Sequence, residues 1–285
     1  ESSAASDVYK RQVRGYVNRF AATPAEHVAV FTNNDDGHRT ATDLAAAGVD
    51  VAAIIDSRLD APKSEVAEVF AGAIVSGTGG RLGIGHVDIR LAGGGRKHVQ
   101  CGALAVSGGW NPNVHLTCHH RGRPAWQDDI CAFVPGEGVP PGMAVAGAAR
   151  GVFSTAGTIG DGQAQAIAQL AEIGMTAAAD TLPEAEDAPV RITPLWHVPG
   201  KKRAWLDQQN DVTVKDVKLA HQENFRAVEH LKRYTTLGMA GDQGRTSNVL
   251  GLAIMAELTG KSIAETGTTI SVSYTHLTLP TIRTV

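Results

Sequence analysis

Residues 232–248, KRYTTLGMAGDQGRTSN, combine residue types that suit the binding of an anion. The segment holds basic residues, paired threonines and three glycines, but no cysteine, no histidine and a single acid. We predict helices on both sides of its glycine-rich turn, so that backbone N–H groups can lie at a helix N-terminus, where phosphates are favoured. This composition offers little to a metal site or a hydrolase.

A second segment with binding chemistry is AGAARGVFSTAGTIGDG, residues 146–162. We predict an apolar strand at 142–149 that delivers Gly147 and Ala148 to a loop, with Thr155 and Gly160 preceding an alanine-rich helix. Small residues at such a turn let a pyrophosphate or ribose approach the backbone N–H groups. The alternative is a packed strand–loop–helix that binds nothing.

A third segment, residues 26–56, has the pattern of a βαβ unit whose second strand ends at Asp56. An acid at that position is typical of dinucleotide-binding folds. The first turn is TNNDDGH, however, and not G-x-G-x-x-G. Asn33, Asn34, Asp35 and Asp36 would crowd and repel a pyrophosphate, so the unit is either a working nucleotide site or a degenerate, structural one.

Metal and nucleophile patterns are weak in this sequence. His115, Cys118, His119 and His120 fall within six residues, but adjacent histidines rarely share one tetrahedral ion and no second ligand cluster follows at a suitable spacing. The three cysteines are irregularly spaced and imply neither a disulfide framework nor a zinc pattern. We assign no catalytic residue and no metal ligand to the chain.

Composition excludes several classes of protein. The 285 residues carry 26 Lys and Arg against 29 Asp and Glu, a formal charge of −3, which argues against nucleic-acid binding. No apolar run is long enough to span a bilayer and no leader peptide is recognisable, so we expect no membrane association and a cytoplasmic location. The 32 glycines and 5% aromatic content suit nucleotide-binding α/β domains.

The elements that position these segments divide the chain into regions. We predict a helix at 61–71 and a β-hairpin within 81–106, inside an α/β region at 13–175. An acidic, proline-containing linker at 176–200 precedes a helical region at 201–271. There, Thr213 with Asp216 forms a capping-box pattern, and Thr246 or Ser247 can begin an apolar helix.

The two ends differ from the rest of the chain. Residues 1–12 and 272–285 resemble adaptor-derived tails found in unrelated translations, the alternative being natural disordered termini. On the first interpretation the chain is an internal fragment of a longer protein.

Three segments resemble the alpha subunit of heterotetrameric sarcosine oxidase: SGGWNPNVHL at 107–116, AGAARGVFSTAG, and above all the block at 210–257. The resemblance covers about residues 13–270. It implies part of a pyridine-nucleotide-disulfide-oxidoreductase-like fold with two dinucleotide domains, followed by a small helical domain. The family's first nucleotide-binding strand and its carboxy-terminal folate domain are expected outside this chain.

The resemblance also implies cofactors and partners. In this family NAD binds the alpha subunit, and by position Ala148, Phe153 and Thr155 would contact it. FAD lies in the beta subunit, FMN lies at the alpha–beta interface, and tetrahydrofolate binds the missing domain. Gamma and delta subunits complete the complex. Its reaction converts sarcosine to glycine, with formation of hydrogen peroxide and methylene-tetrahydrofolate.

The helical region is similar to [2Fe-2S] modules related to bacterioferritin-associated ferredoxin. Aligned on that pattern, the four cysteine positions fall at Asp207, Gln209, Asp242 and Ser247, and none supplies a thiolate. We therefore expect a scaffold that has lost its cluster and lines the FMN site or the beta-subunit interface. Its phosphate or flavin contacts would be Lys232, Arg233, Thr235, Thr236 and Ser247, which alternatively only hold the fold.

Two other functions remain open from the sequence. One is a subunit of a related secondary-amine dehydrogenase acting on proline or an opine. The other is a non-catalytic module that retains only a partner surface of a degenerate oxidoreductase fold. An isolated segment of this kind would expose apolar surface that its missing domains cover, so we expect poor solubility.

Overall fold

A computed structural model describes residues 6–185, 190–200 and 203–268. These residues form two compact units, one containing residues up to Gly109 together with those from Ile192 onward, the other containing Trp110–Arg191. The proposed amino-terminal tail overlaps the first helix, α1 (Ser6–Phe20). The proposed tail at 272–285 lies outside the described residues. Within the described part of the chain, no helix has the length and apolarity needed to cross a bilayer.

A parallel sheet forms the centre of the first unit. Its strands are β1 (His27–Thr32), β2 (Asp50–Asp56), β3 (Val69–Ala71) and β7 (Ala103–Ser107), in the order β3-β2-β1-β7. Helix α2 (Asp35–Ala46) connects β1 to β2, which confirms the predicted βαβ unit. The strands are continuous apolar runs because parallel sheets are covered on both faces, and their buried side chains form the core.

The predicted helix at 61–71 is wrong. Its last residues form β3, whose Val69 and Phe70 pair with Ile54 and Ile55 of β2. The Ile54 N–H also donates to the Glu68 carbonyl at 2.9 Å. Backbone pairing with a central strand and packing of Phe70 on the core outweigh a local helical preference.

A three-stranded antiparallel sheet follows in the same unit. It consists of β4 (Ile74–Gly79), β5 (His86–Arg90) and β6 (Arg96–Gln100), in the order β4-β5-β6. The turn between β5 and β6 closes with Leu91 N–H donating to Gly95 at 2.8 Å. The predicted hairpin is confirmed, and β4 extends it by one strand.

The second unit contains a short β-ribbon and one long helix. The ribbon pairs β8 (Ala125–Gln127) with β9 (Ala132–Val134), and the helix is α3 (Thr155–Glu172). The predicted strand at 142–149 is wrong, because Gly147–Arg150 form a 3-10 turn. Gly147 there has a φ of +62°, a conformation that a strand cannot continue through.

The last part of the first unit is helical, as predicted. A short β-ribbon of β10 (Trp205–Asp207) and β11 (Val212–Thr213) precedes α4 (Val214–Gln222), α5 (Val228–Thr235), α6 (Asn248–Thr259) and α7 (Ile263–Thr266). The predicted capping box is present: the Asp216 carboxylate accepts from the backbone N–H and the hydroxyl of Thr213, both at 2.7 Å. Mixed α/β structure with a helical part is therefore confirmed.

Candidate functional site

The turn between α5 and α6 is built around the buried carboxylate of Asp207. This side chain accepts from the backbone N–H of Gln209 at 2.9 Å, of Asn210 at 3.1 Å and of Gly238 at 2.9 Å. The Gly238 bond crosses 31 residues of sequence and ties β10 to the glycine-rich turn. Asp207 thus holds two backbone segments together with one charged acceptor.

Two of the other aligned cysteine positions, Gln209 and Asp242, also accept from backbone donors of this turn. Gln209 Oε1 accepts from Gly241 N–H at 3.1 Å. The Asp242 carboxylate accepts from Gly244 N–H at 3.2 Å and from the Thr246 hydroxyl at 2.8 Å. At three of the four positions, a side-chain oxygen therefore accepts hydrogen bonds from this loop. In a cluster protein, cysteine sulfurs at these positions would bind the cluster.

Ser247 occupies the fourth position. It begins α6 at its N-cap but makes no side-chain capping bond. Its residue is 1% exposed, and within the described part of the chain its hydroxyl has no hydrogen-bond partner. Burial of an unpaired hydroxyl costs free energy, so Ser247 destabilises the turn.

The predicted phosphate contacts of this segment do not share one surface. Lys232 is 4% exposed, whereas the Arg233 side chain is 73% exposed and lies 3.4 Å from Glu229, one helical turn away. The Thr235 hydroxyl donates to the Leu231 carbonyl at 2.7 Å, as a helix-internal bond. Exposed Thr236 takes a left-handed backbone conformation that ends α5. The predicted contacts therefore do not form one exposed anion site.

The predicted dinucleotide contacts lie at the start of α3. Ser154 caps this helix by accepting from Gly157 N–H at 3.2 Å, so Thr155 and Gly160 lie inside the helix and do not precede it as predicted. Ala148 and Thr155 are exposed, and Phe153 is half-buried. These small or partly exposed residues leave one side of the turn accessible.

Asp161 holds the backbone of the turn that precedes α3. Its carboxylate accepts from Gly147 N–H at 2.8 Å and pairs with Arg150 at 2.5 Å. The Gly147 hydrogen bond, aided by Arg150, holds the pKa of Asp161 below its ordinary value against the opposing effect of burial. Gly147 has no room for a side chain, because a Cβ there would lie 2.6 Å from Thr158 Cγ2.

The βαβ turn is closed by its own polar side chains. Asn34 Oδ1 accepts from the backbone N–H groups of Asp36 at 3.1 Å and Gly37 at 3.3 Å, at the N-terminus of α2 where a phosphate would bind. The Asn34 amide also donates to the Ser107 carbonyl at 3.2 Å. The geometry favours the degenerate, structural interpretation of this unit.

Asp56, which the dinucleotide pattern assigns to a ribose, is held inside the protein. It is fully buried, with His38 Nε2 at 2.8 Å and Arg58 Nη2 at 2.7 Å. Arg58 also pairs with Asp35 at 2.6 Å. Burial alone would raise the pKa of Asp56, but hydrogen bonds from His38 and Arg58 outweigh burial and hold it below the ordinary value.

A cleft of about 530 Å³ opens in the first unit between the β4–β5 connection and β10. Glycines of the segment at 79–83 form one wall, and Arg203 and Trp205 form the other. The Arg203 guanidinium lies over the Trp205 ring, 5.5 Å from its centroid. A cation beside an aromatic face suits an anionic ligand. The sequence did not predict this cleft, because its two walls are about 120 residues apart along the chain.

Two of the three cysteines, Cys101 and Cys131, have thiols whose ionisation is disfavoured. None of the three forms a disulfide, and burial with the nearby Asp128 and Asp129 raises the pKa of Cys131 to about 11. Burial likewise raises the pKa of Cys101. In the segment to which we assign no zinc ligand, His115 Nδ1 lies 2.6 Å from Asn113 Oδ1.

Comparison with known proteins gives consistent matches. The family model described as Sarcosine oxidase A3 domain matches residues 201–276. The sarcosine oxidase subunit alpha of Rhizobium meliloti (strain 1021) is 41% identical over 265 residues, which is 90% of this chain and 26% of that protein. The same subunit of Corynebacterium sp. (strain U-96) is 35% identical over 280 residues, 90% of this chain and 29% of that protein. The chain thus spans less than a third of these relatives.

Among solved structures, L-proline dehydrogenase from P. horikoshii aligns with a TM-score of 0.60 at 18% identity, over 90% of this chain and 49% of that chain. At that identity the likeness concerns the fold alone, and it supports the mixed α/β architecture with a helical part. With the matches in sequence, the chain is homologous over nine tenths of its length to a segment of sarcosine oxidase alpha subunits.

Proposed function

We propose that this chain is a segment of the alpha subunit of a sarcosine oxidase, an oxidoreductase acting on CH–NH donors. The observation that carries the proposal is the homology over 90% of the chain, which includes both the turn before α3 and the helical A3-like region. The segment serves as a cofactor and interface scaffold. The complete complex converts sarcosine to glycine, with hydrogen peroxide and methylene-tetrahydrofolate as further products.

We place the NAD contacts at the turn before α3. The small, exposed residues Ala148 and Thr155 leave room for a ligand against the backbone, and Phe153 offers an apolar face beside them. Asp161 holds that backbone in place through Gly147 N–H and Arg150. The accessible side of the turn fits a nucleotide better than the βαβ turn, whose helix N-terminus is occupied by Asn34.

We assign the A3-like turn to support of the subunit interface. Its backbone N–H groups already bond to Asp207, Gln209 and Asp242, and carboxylates repel a phosphate. The interior of the turn therefore does not fit the FMN phosphate. Arg233 and Thr236 on its exposed side remain available to a flavin or to the beta subunit. Redox chemistry belongs to the flavins, and this segment contributes position and electrostatics.

The decisive experiment reconstitutes the complete alpha subunit that contains this segment with beta, gamma and delta subunits. We expect sarcosine-dependent hydrogen peroxide and substoichiometric iron and acid-labile sulfide in the alpha subunit. Oxidation of proline or an opine without oxidation of sarcosine would replace the proposal by a related dehydrogenase. An assembled, flavin-loaded complex that oxidises none of them would indicate a non-catalytic module. A stoichiometric iron–sulfur cluster would contradict the scaffold interpretation.

A matched pair of substitutions tests the NAD site in the same complex. Ala148→Gln adds bulk at the exposed turn, whereas Ala168→Gln adds the same bulk at an exposed position near the C-terminal end of α3. We expect Ala148→Gln to remove most of the bound NAD, measured after acid release, and Ala168→Gln to retain it. Equal NAD contents in the two variants would rule out this turn as the contact.

A further inference from the structure

The antiparallel sheet of the first unit carries a cluster of metal-ligating side chains. His86 and Asp88 are two residues apart on β5, so their side chains lie on the same face of the sheet. The register of the hairpin pairs Asp88 directly with His98 on β6. Strand geometry therefore brings two imidazoles and one carboxylate together without any loop.

The three ligand atoms converge on one point. Asp88 Oδ1 lies 2.5 Å from His98 Nδ1 and 3.5 Å from His86 Nε2, and the three ligand atoms all lie within 4.8 Å of one another. The two imidazole rings meet edge to face, with centroids 5.4 Å apart. Ligands of a tetrahedral ion at about 2.0–2.2 Å lie roughly 3.3–3.6 Å apart, so the Asp88–His86 separation already fits and the Asp88–His98 separation must lengthen by about 1 Å.

Strand β4 leaves space for this arrangement. Gly79 pairs with His86, and a Cβ at that position would lie 2.4 Å from His86 Cε1. Gly77 pairs with Asp88, and a Cβ there would lie 3.2 Å from Asp88 Oδ2. Two glycines on the neighbouring strand thus let the imidazole and the carboxylate lean over β4.

We propose that His86, Asp88 and His98 form a surface site for a first-row divalent transition metal such as Zn²⁺. Two imidazoles and a carboxylate suit Zn²⁺, Cu²⁺ and Ni²⁺ and disfavour Mg²⁺ or Ca²⁺, which select all-oxygen ligands. The side chains are 34%, 38% and 69% exposed, so water or a partner's side chain can complete the coordination. The site is independent of the proposed amine oxidation.

Neighbouring charges limit the affinity of this site. Arg90 and Arg96 lie opposite each other in the strand register, at the turn end of the same hairpin. They are two residues from Asp88 and His98 and share their face of the sheet. Their charge opposes a dication, although solvent screens exposed groups. Gln100, which pairs with His86, adds a neutral polar side chain to that face.

The chain contains an internal comparison for the test. His27 Nδ1 lies 2.7 Å from Asp50 Oδ2, an exposed histidine–aspartate pair at the start of two parallel strands. Within the described residues it is not part of a three-ligand group. A metal that bound any exposed histidine–aspartate pair would respond equally to substitution there.

The experiment measures Zn²⁺ binding to the 285-residue chain by equilibrium dialysis, and Co²⁺ binding by the visible d–d absorption of a nitrogen–oxygen site. We expect tenfold or greater weakening in His98→Ala and His86→Ala, and unchanged affinity in His27→Ala. Circular dichroism checks that each variant is folded, and Asp88→Asn provides a nearly isosteric second test. Failure of the parent chain to bind either ion, or equal binding by parent and His98→Ala, would overturn the proposal.

Discussion

Two turns of the first unit are each built around a buried aspartate, but different groups satisfy the two carboxylates. Beside the βαβ turn, Asp56 at the end of β2 is held by cationic Arg58 and by His38. In the A3-like turn, Asp207 accepts from three backbone N–H groups. The first is a side-chain ion pair, and the second uses the backbone itself as the counter-group.

The difference shows two ways of closing a turn that related folds use for a ligand. In the βαβ turn, Asn34 accepts hydrogen bonds from the N–H groups of the helix N-terminus. Arg58 forms an ion pair with Asp56, the acid that would bind a ribose in related folds. In the A3-like turn, carboxylate and amide oxygens take N–H groups that in a cluster protein can bond to sulfur. We therefore expect removal of the Arg58 cation to destabilise the βαβ turn, and removal of the Asp207 acceptor to destabilise the A3-like turn.

The largest expected effect comes from Arg58→Leu, which strips the buried cation from Asp56. Removing one partner of a buried ion pair leaves an uncompensated charge, and we expect a loss of about 3–5 kcal/mol in the free energy of unfolding. Urea denaturation of the chain measures this loss. The double variant Asp56→Asn with Arg58→Leu should recover part of it, because the uncompensated charge of Asp56 is then removed as well. A single variant within about 1 kcal/mol of the parent would refute the ion-pair closure.

The same closure has a pH dependence. Because the pKa of Asp56 is lower in the folded protein than in the unfolded chain, its charge stabilises the fold above the unfolded value of about 3.9. That contribution is lost as the pH falls through the lower folded pKa. We expect the double variant to lack this part of the acid-induced decrease in unfolding free energy, measured by urea titrations from neutral pH downward. Identical pH profiles for parent and double variant would contradict it.

A smaller effect is expected from Asp207→Ala, which removes an acceptor and not a cation. It leaves three N–H groups to find other partners, and we expect a loss of about 2–4 kcal/mol. Asp207→Asn keeps one acceptor oxygen for Gln209 and Asn210, so it should lose roughly half as much. Hydrogen exchange at the Gly238 amide locates the change. Unaltered protection of that amide in Asp207→Ala would mean that the carboxylate does not hold the turn.

Local signals account for the parts of this fold that the sequence predicted. The βαβ unit, the hairpin and the Thr213 capping box depend on residues close along the chain, where periodicity and turn chemistry act directly. The predictions for 61–71 and 142–149 are wrong because strand formation depends on a partner strand. Residues 69–71 have β2 as a partner and form a strand. Among the described residues, 142–149 have no partner strand, and Gly147–Arg150 form a 3-10 turn.

The sites divide in the same way. The resemblance identified Asp207 and Asp242 as ligand positions, but only the folded chain brings Asp207 to Gly238 across 31 residues. His86 and Asp88 have a visible two-residue spacing, and the hairpin turn at 91–95 sets the register that adds His98. That cluster was within reach of sequence reasoning, whereas the cleft wall formed by Arg203 and Trp205 was not.

The smallest expected effect is that of Arg233→Ala, on the outer face of the A3-like turn. Its side chain is 73% exposed and its pair with Glu229 at 3.4 Å is a single-turn helical ion pair, so we expect a change of at most about 0.5 kcal/mol in unfolding free energy. Urea denaturation checks this value, and a loss above about 1.5 kcal/mol would place Arg233 in the closure itself. Because its replacement spares the fold, any loss of FMN or beta subunit in the assembled complex would report a contact made by Arg233. Asp207→Ala cannot separate these two roles, because it disrupts the turn that presents Arg233.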